Sequence, residues 1–192
     1  MREYDLIAEW YASERLDQTG VPEAMALACA LPPGARVLDI GCGNGIPITR
    51  ALLSAGHRIV GLDSSREMLV RFRGNYPEVP AVRGIVQLAP FAERTFDAAV
   101  AWGVMFHLNQ SDQMTAIASV SHVLKSGAPF LFTAGDVDGF EAKEDTMNGV
   151  QFRYWSFTID DYRRVLSERG FTLSDYHEDG GKNGYYLAKK SA

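Results

Sequence analysis

The sequence predicts a doubly wound α/β domain whose seven-stranded sheet is mostly parallel and closes with an antiparallel hairpin. Two observations carry this. Short apolar runs alternate with segments of helical periodicity, which is the signature of strand–helix–strand units. Near the end, two strand-like runs flank a glycine-rich stretch with no helix between them. A chain of 192 residues can bury one core, and it reads as one domain, 1–192, with helices in 1–35 and an insertion at 135–157.

Each element has its own warrant. Leu6, Ile7, Trp10 and Tyr11 recur at helical spacing, so 4–15 is an opening helix. A second helix at 22–30 stops at Pro32-Pro33, which cannot continue it. Residues 36–40 form the first strand, Gly41 to Gly45 its turn, and 45–54 a helix that tolerates Pro47 in its first turn. The pattern repeats with a strand at 58–62, a helix at 66–73 and a strand at 81–85. The fourth strand, 96–102, is apolar throughout after Asp97, as a strand covered on both faces requires. A helix at 111–125 turns Met114, Ile117 and Leu124 inward and ends near Gly127, before a fifth strand at 129–134. Thr158, with Asp161 three residues on, starts a helix that Gly170 closes. Strands at 171–176 and 185–188 then meet across the turn from Gly180 to Gly184. The stretch 135–157 fits no element and is too long for a plain connection, a feature that often marks function.

Composition narrows the classes. The formal net charge is −5 and the cations are scattered, which disfavours a nucleic-acid backbone as partner, since such binding needs clustered Lys and Arg. No apolar run has the length of a membrane span, and the first ten residues mix charged and apolar groups unlike a signal peptide. Cys29 and Cys42 make neither a disulfide framework nor a metal-ligand spacing, so a cytoplasmic, metal-independent protein is expected. Nothing in the sequence sets an oligomeric state.

The chemical signal lies in Val37 to Gly45. An apolar strand that carries Asp39 ends at Ile40, and the chain turns through Gly41, Gly43 and Gly45 into a helix. Glycine serves where φ is positive or a ligand presses on the backbone, and this turn lies at the carboxyl edge where open α/β sheets bind ligands. Asp63, ending the second strand, follows Asp39 by 24 residues, a spacing suited to a ribose. A dinucleotide fingerprint would need Gly or Ala at position 46, where this chain has Ile46.

The pattern Asp39, Gly41, Gly43, Gly45 instead resembles motif I of the class I S-adenosylmethionine-dependent methyltransferases. The likeness continues through 61–69, 89–91, 96–100, 103–108 and 123–127, and the opening helix from Tyr4 to Tyr11 resembles the family's N-terminal helix; residues 136–157 carry none of it. The resemblance implies binding of S-adenosylmethionine, with S-adenosylhomocysteine as product. It places the cofactor against Tyr11, Asp39, Gly41, Cys42, Gly43, Asp63, Ser64 and Met68, then Val86, Gln87, Ala101, Trp102 and Phe106. Cys42 reads as a small filler, and Trp102 and Phe106 read equally as core. Many relatives carry an acid after the third strand for the adenine amine; here the stretch is Gly84-Ile85-Val86-Gln87, which leaves apolar packing, backbone and Gln87.

His107 is the candidate catalytic base, since imidazole titrates near neutrality; the competing reading is a structural histidine. Phe140 and Tyr154, within 135–157, are the candidate acceptor contacts. The acidic run Asp136, Asp138, Glu141, Glu144 and Asp145 reads as a solvated face. The predicted function is methyl transfer to a small-molecule acceptor. The alternatives are a catalytically inactive cofactor-binding partner protein and an NAD-dependent oxidoreductase, the latter opposed by Ile46.

Overall fold

The computed structural model describes residues 3–14, 18–135, 138–178 and 184–192. The chain opens with α1 (Glu3–Glu14) and α2 (Val21–Ala30), then alternates β1 (Arg36–Ile40), α3 (Ile48–Ser54), β2 (Arg58–Asp63), α4 (Arg66–Asn75) and β3 (Ala81–Arg83). A 3₁₀ turn at Val86–Leu88 leads to β4 (Ala98–Ala101), and a second at Met105–His107 leads to α5 (Gln110–Val123) and β5 (Pro129–Ala134). An antiparallel pair, β6 (Asp138–Met147) and β7 (Val150–Thr158), precedes α6 (Ile159–Glu168), β8 (Phe171–Glu178) and β9 (Gly184–Lys190).

The main sheet has the order β3-β2-β1-β4-β5-β9-β8, with β1 to β5 parallel and β9 antiparallel to both its neighbours. This is the mostly parallel, hairpin-closed sheet expected from the sequence. Successive strand residues face opposite sides, so a strand covered twice must be apolar at successive positions. Val37, Ile59 and Val100 accordingly join one core with Leu27 of α2 and Leu52 of α3. Leu38, Val60 and Phe130 join the other with Ile117 of α5 and Val165 of α6. No helix among the described residues is long and apolar enough to cross a membrane.

Several expected boundaries move, each for a local reason. The helix after the glycine turn starts at Ile48, because Gly45 has φ +84° and cannot belong to a right-handed helix. The third strand stops at Arg83, and Val86 then turns inward to a buried position. The fourth strand is confined to Ala98–Ala101: Asp97 spends its carboxylate on the Arg36 amide and Lys125 Nζ, and Phe96 only bridges to Leu124. Asn109 caps α5 by accepting from the Asp112 amide at 2.9 Å, so that helix begins one residue earlier than expected. Thr158 caps α6 through the Asp161 amide as its spacing predicts. Most of the turn from Gly180 to Gly184, the end of the opening helix at Arg15, and Asp136 lie outside the described residues.

The unassigned stretch proves to be the β6–β7 hairpin, turning at Asn148 and Gly149, both with positive φ. It forms a sheet of its own, and β7 packs against α1, α5, α6 and the 3₁₀ turn at Met105–His107. Phe152, Ser156 and Phe157 of β7 are buried, while β6 is almost wholly exposed.

Candidate cofactor and acceptor site

The register brings Ile40, Leu62 and Ala101 level, so β1, β2 and β4 release their chains at one edge of the sheet. A cavity of about 290 Å³ lies there. Ile40, Gly41 and Gly43 line it from the glycine turn, and Leu62, Asp63, Ser64 and Met68 from the second crossover. Gly84, Ile85, Val86 and Gln87 form another wall, and Trp102, Gly103, Val104, His107, Leu108 and Asp112 follow β4. Tyr4 and Tyr11 cover it from α1.

The three glycines of the turn have different reasons. A Cβ on Gly41 would stand 2.2 Å from Val104 Cγ2, and one on Gly45 would stand 2.5 Å from the Tyr76 ring. Both are therefore imposed by packing within the chain. Gly43, at φ +55°, meets no atom nearer than the Gly41 carbonyl at 4.0 Å, so its missing side chain leaves room at the cavity wall. Asp63 fastens the turn to the second strand. Its Oδ2 accepts from the Gly43 amide at 2.9 Å and its Oδ1 from the Ser65 amide at 2.8 Å. Burial raises the pKa of its carboxyl, with those two amides opposing.

Asp39 is buried one layer below, its Oδ2 accepting from Thr49 Oγ1 at 2.5 Å. Cys42 does not line the cavity; its sulfur faces Gly61, and burial pushes the thiol well up, beyond use as a nucleophile at neutral pH. Ala101 is fully buried in the sheet core. Trp102 reaches the cavity but is 5% exposed, its ring lying against Tyr185 at 5.0 Å. Of the remaining cofactor candidates, Tyr11, Gly41, Gly43, Asp63, Ser64, Met68, Val86 and Gln87 share the cavity.

The other end is aromatic. The His107 ring packs against Tyr4 at 5.4 Å, Phe106 at 4.7 Å, Phe152 at 5.6 Å and Tyr154 at 5.0 Å. Phe106 and Tyr154 stand behind it, 5.8 Å apart, and do not line the cavity. The Phe140 side chain lies outside the described part; its backbone pairs with Ser156. Tyr4 Oη lies 2.8 Å from His107 Nε2. Burial lowers the His107 pKa to about 4, against the pull of the Arg153 backbone, so the imidazole is neutral at physiological pH.

Tyr4, Val104, Leu108 and Asp112 were not among the sequence candidates. Tyr4 was findable, since it lies seven residues before Tyr11 and hence on the same helix face; the rings meet at 5.2 Å. Asp5 beside it ties α1 down, its Oδ1 accepting from Ser65 Oγ at 2.5 Å and from the Glu67 amide at 3.1 Å. Among the described residues, no Lys or Arg lines the cavity, and no group of His, Cys, Asp and Glu could hold a metal ion.

Residues 37–127 match the methyltransferase domain family. An uncharacterized methyltransferase of Synechocystis is 35% identical over 101 residues, covering 53% of this chain and 47% of that protein. A tRNA U34 carboxymethyltransferase of Alteromonas mediterranea is 26% identical over 144 residues, covering 69% of this chain and 40% of that protein. The chain thus spans less than half the length of either relative. In fold it is similar to the 1,6-didemethyltoxoflavin-N1-methyltransferase of Burkholderia thailandensis, solved with 1,6-didemethyltoxoflavin and S-adenosylhomocysteine. The TM-score is 0.77 at 23% identity, over 100% of this chain and 88% of that one.

Proposed function

We propose that this chain, which belongs to the class I S-adenosylmethionine-dependent methyltransferase family, transfers a methyl group to a small, non-anionic acceptor. The supporting observation is one cavity that joins a nucleoside-type wall to an aromatic chamber. Gly43 keeps open a space that a Cβ would narrow, and the Asp63 carboxylate stands beside it as an acceptor for ribose hydroxyls. Ile85, Val86 and Met68 offer apolar surface for a purine, with Gln87 at hand for its polar edge. These residues fit S-adenosylmethionine, which when bound supplies an electrophilic methyl group on a sulfonium.

The chain's own contribution is placement and exclusion of water. Tyr4 and Tyr11 roof the cavity, and aromatic faces there suit a cationic sulfur. The acceptor enters against Tyr4, His107 and Leu108, next to the β6–β7 hairpin that backs His107 with Phe152 and Tyr154. The ionisable lining is Asp63, Asp112 and tyrosines around a neutral imidazole, which repels anions and accepts flat neutral or amine-bearing molecules. Among the described residues a tRNA backbone finds no cationic wall there, and the formal net charge of −5 opposes it further.

Two measurements test this. Calorimetric titration should give saturable binding of S-adenosylmethionine and S-adenosylhomocysteine and none of NAD. Release of S-adenosylhomocysteine should then be followed over phenols, aryl amines and N-heterocycles beside bulk tRNA. Turnover on tRNA with none on the small molecules would overturn the acceptor assignment.

A further inference from the structure

We propose that Tyr4 and His107 form a proton-relay pair at the acceptor end of the cavity, Tyr4 Oη taking the proton that the acceptor loses and passing its own to His107 Nε2. This rests on the methyl-transfer reading above and adds to it the route by which the proton leaves. Both residues line the cavity, and their polar atoms lie 2.8 Å apart. His107 is 7% exposed, and its Nδ1 is buried with no hydrogen-bond partner. A buried, polar, incompletely satisfied ring facing a cavity calls for a reason beyond packing.

The direction of the Tyr4–His107 bond decides what the pair can do. A neutral imidazole carries one donor and one acceptor nitrogen. Phenol is the better proton donor of the two groups and an imidazole nitrogen the better acceptor, so O–H donates to Nε2. The ring proton then sits on Nδ1. In that arrangement the phenol oxygen faces the acceptor with the lone pair of Nε2 behind it. Asp5, one residue on, holds α1 to the start of α4 and so fixes Tyr4 over the site.

The balance closes without another reagent. The acceptor's lone pair forms the new bond to the methyl carbon, and the C–S bond breaks with its electron pair left on sulfur. The acceptor's X–H proton goes to Tyr4 Oη as the Tyr4 proton goes to Nε2. Positive charge disappears from sulfur as it appears on the imidazole, so the buried cavity keeps its net charge. Burial keeps His107 unprotonated beforehand, and the loss of the sulfonium charge offsets part of what burial adds to the cost of protonating it.

Nitrogen-15 spectra of histidine-labelled protein saturated with S-adenosylhomocysteine test the pair directly. At neutral pH, His107 should carry its proton on Nδ1, and Tyr4→Phe, which keeps the ring contacts, should shift the Nε2 resonance. A proton on Nε2 in the wild-type complex overturns the relay, while failure to bind S-adenosylhomocysteine overturns the methyl-transfer reading instead. Turnover separates the relay from simple packing. Phenol must lose a proton on methylation and pyridine has none to lose. Tyr4→Phe and His107→Asn should each slow phenol methylation by about a hundredfold more than they slow pyridine methylation. Equal losses on both would reduce the pair to a structural contact.

Discussion

Glycine 43 carries a different burden from its neighbours. Alanine at position 41 meets Val104 at 2.2 Å, whereas alanine at position 43 meets open space. Both positions have positive φ, which costs a residue with a Cβ about 1–2 kcal/mol. Gly41→Ala should therefore lose more stability in urea unfolding than Gly43→Ala. Gly43→Ala should instead bind S-adenosylhomocysteine roughly tenfold or more weakly by calorimetry, a methyl group being forced against the ligand. Equal affinity would mean that the cofactor does not lie against residue 43. At this scale the sequence was partly legible. The glycine spacing announces a tight turn after a strand, but which glycine faces a ligand depends on Val104 and Tyr76, far away in sequence. Asp63 was legible from its place at a strand end. Its grip on the Gly43 amide was not, because that bond exists only once the turn has formed.

Among the elements, α1 is the one whose attachment is most open to test. It buries few residues, Ile7 and Ala8, so its seat depends on the pairings made by Tyr4 and Asp5. Ser65 and the Glu67 amide, together with the Arg83 charge, hold the Asp5 carboxyl below its usual range despite partial burial. Asp5→Ala should cost α1 about 1–2 kcal/mol of local stability. Hydrogen exchange would register this as amides of 3–14 exchanging roughly 5–30 times faster, with the strands of the sheet unchanged. The hairpin beside α1 shows why an element can escape the sequence. Strand alternation is visible only where one face is buried, and β6 is exposed along nearly its whole length. Only β7 has an inward set, Phe152, Ser156 and Phe157, too short a pattern to read alone. The Asn148-Gly149 pair was the available signal, since both residues take the positive φ that a two-residue hairpin turn demands.

Over the whole molecule, the sheet was the most legible feature, because the central strands are covered on both faces and advertise it as mainly apolar runs, Asp39 of β1 and Thr133 of β5 being buried exceptions. Burial of a titratable ring in such a fold sets a pH dependence that the sequence alone does not reveal. His107 has a pKa of about 4 when folded, against an ordinary value of 6.5. Between those values the unfolded chain binds a proton that the folded chain refuses, so stability falls as pH drops through this window. The loss from this one residue is about 2 kcal/mol at pH 5 relative to neutrality and about 3 kcal/mol below pH 4. Asp97 and Asp161, whose pKa values are lowered by Lys125, Arg164 and neighbouring hydrogen bonds, add further loss only in the carboxylate range. Asp63, raised by burial, acts in the opposite sense there. Comparing wild type with His107→Asn cancels those carboxylates. Urea unfolding at neutral pH and at pH 5 should show the wild type losing about 2 kcal/mol more than the variant. Parallel losses in the two proteins would place His107 in a solvated setting in solution and remove the neutral imidazole from the aromatic end of the cavity.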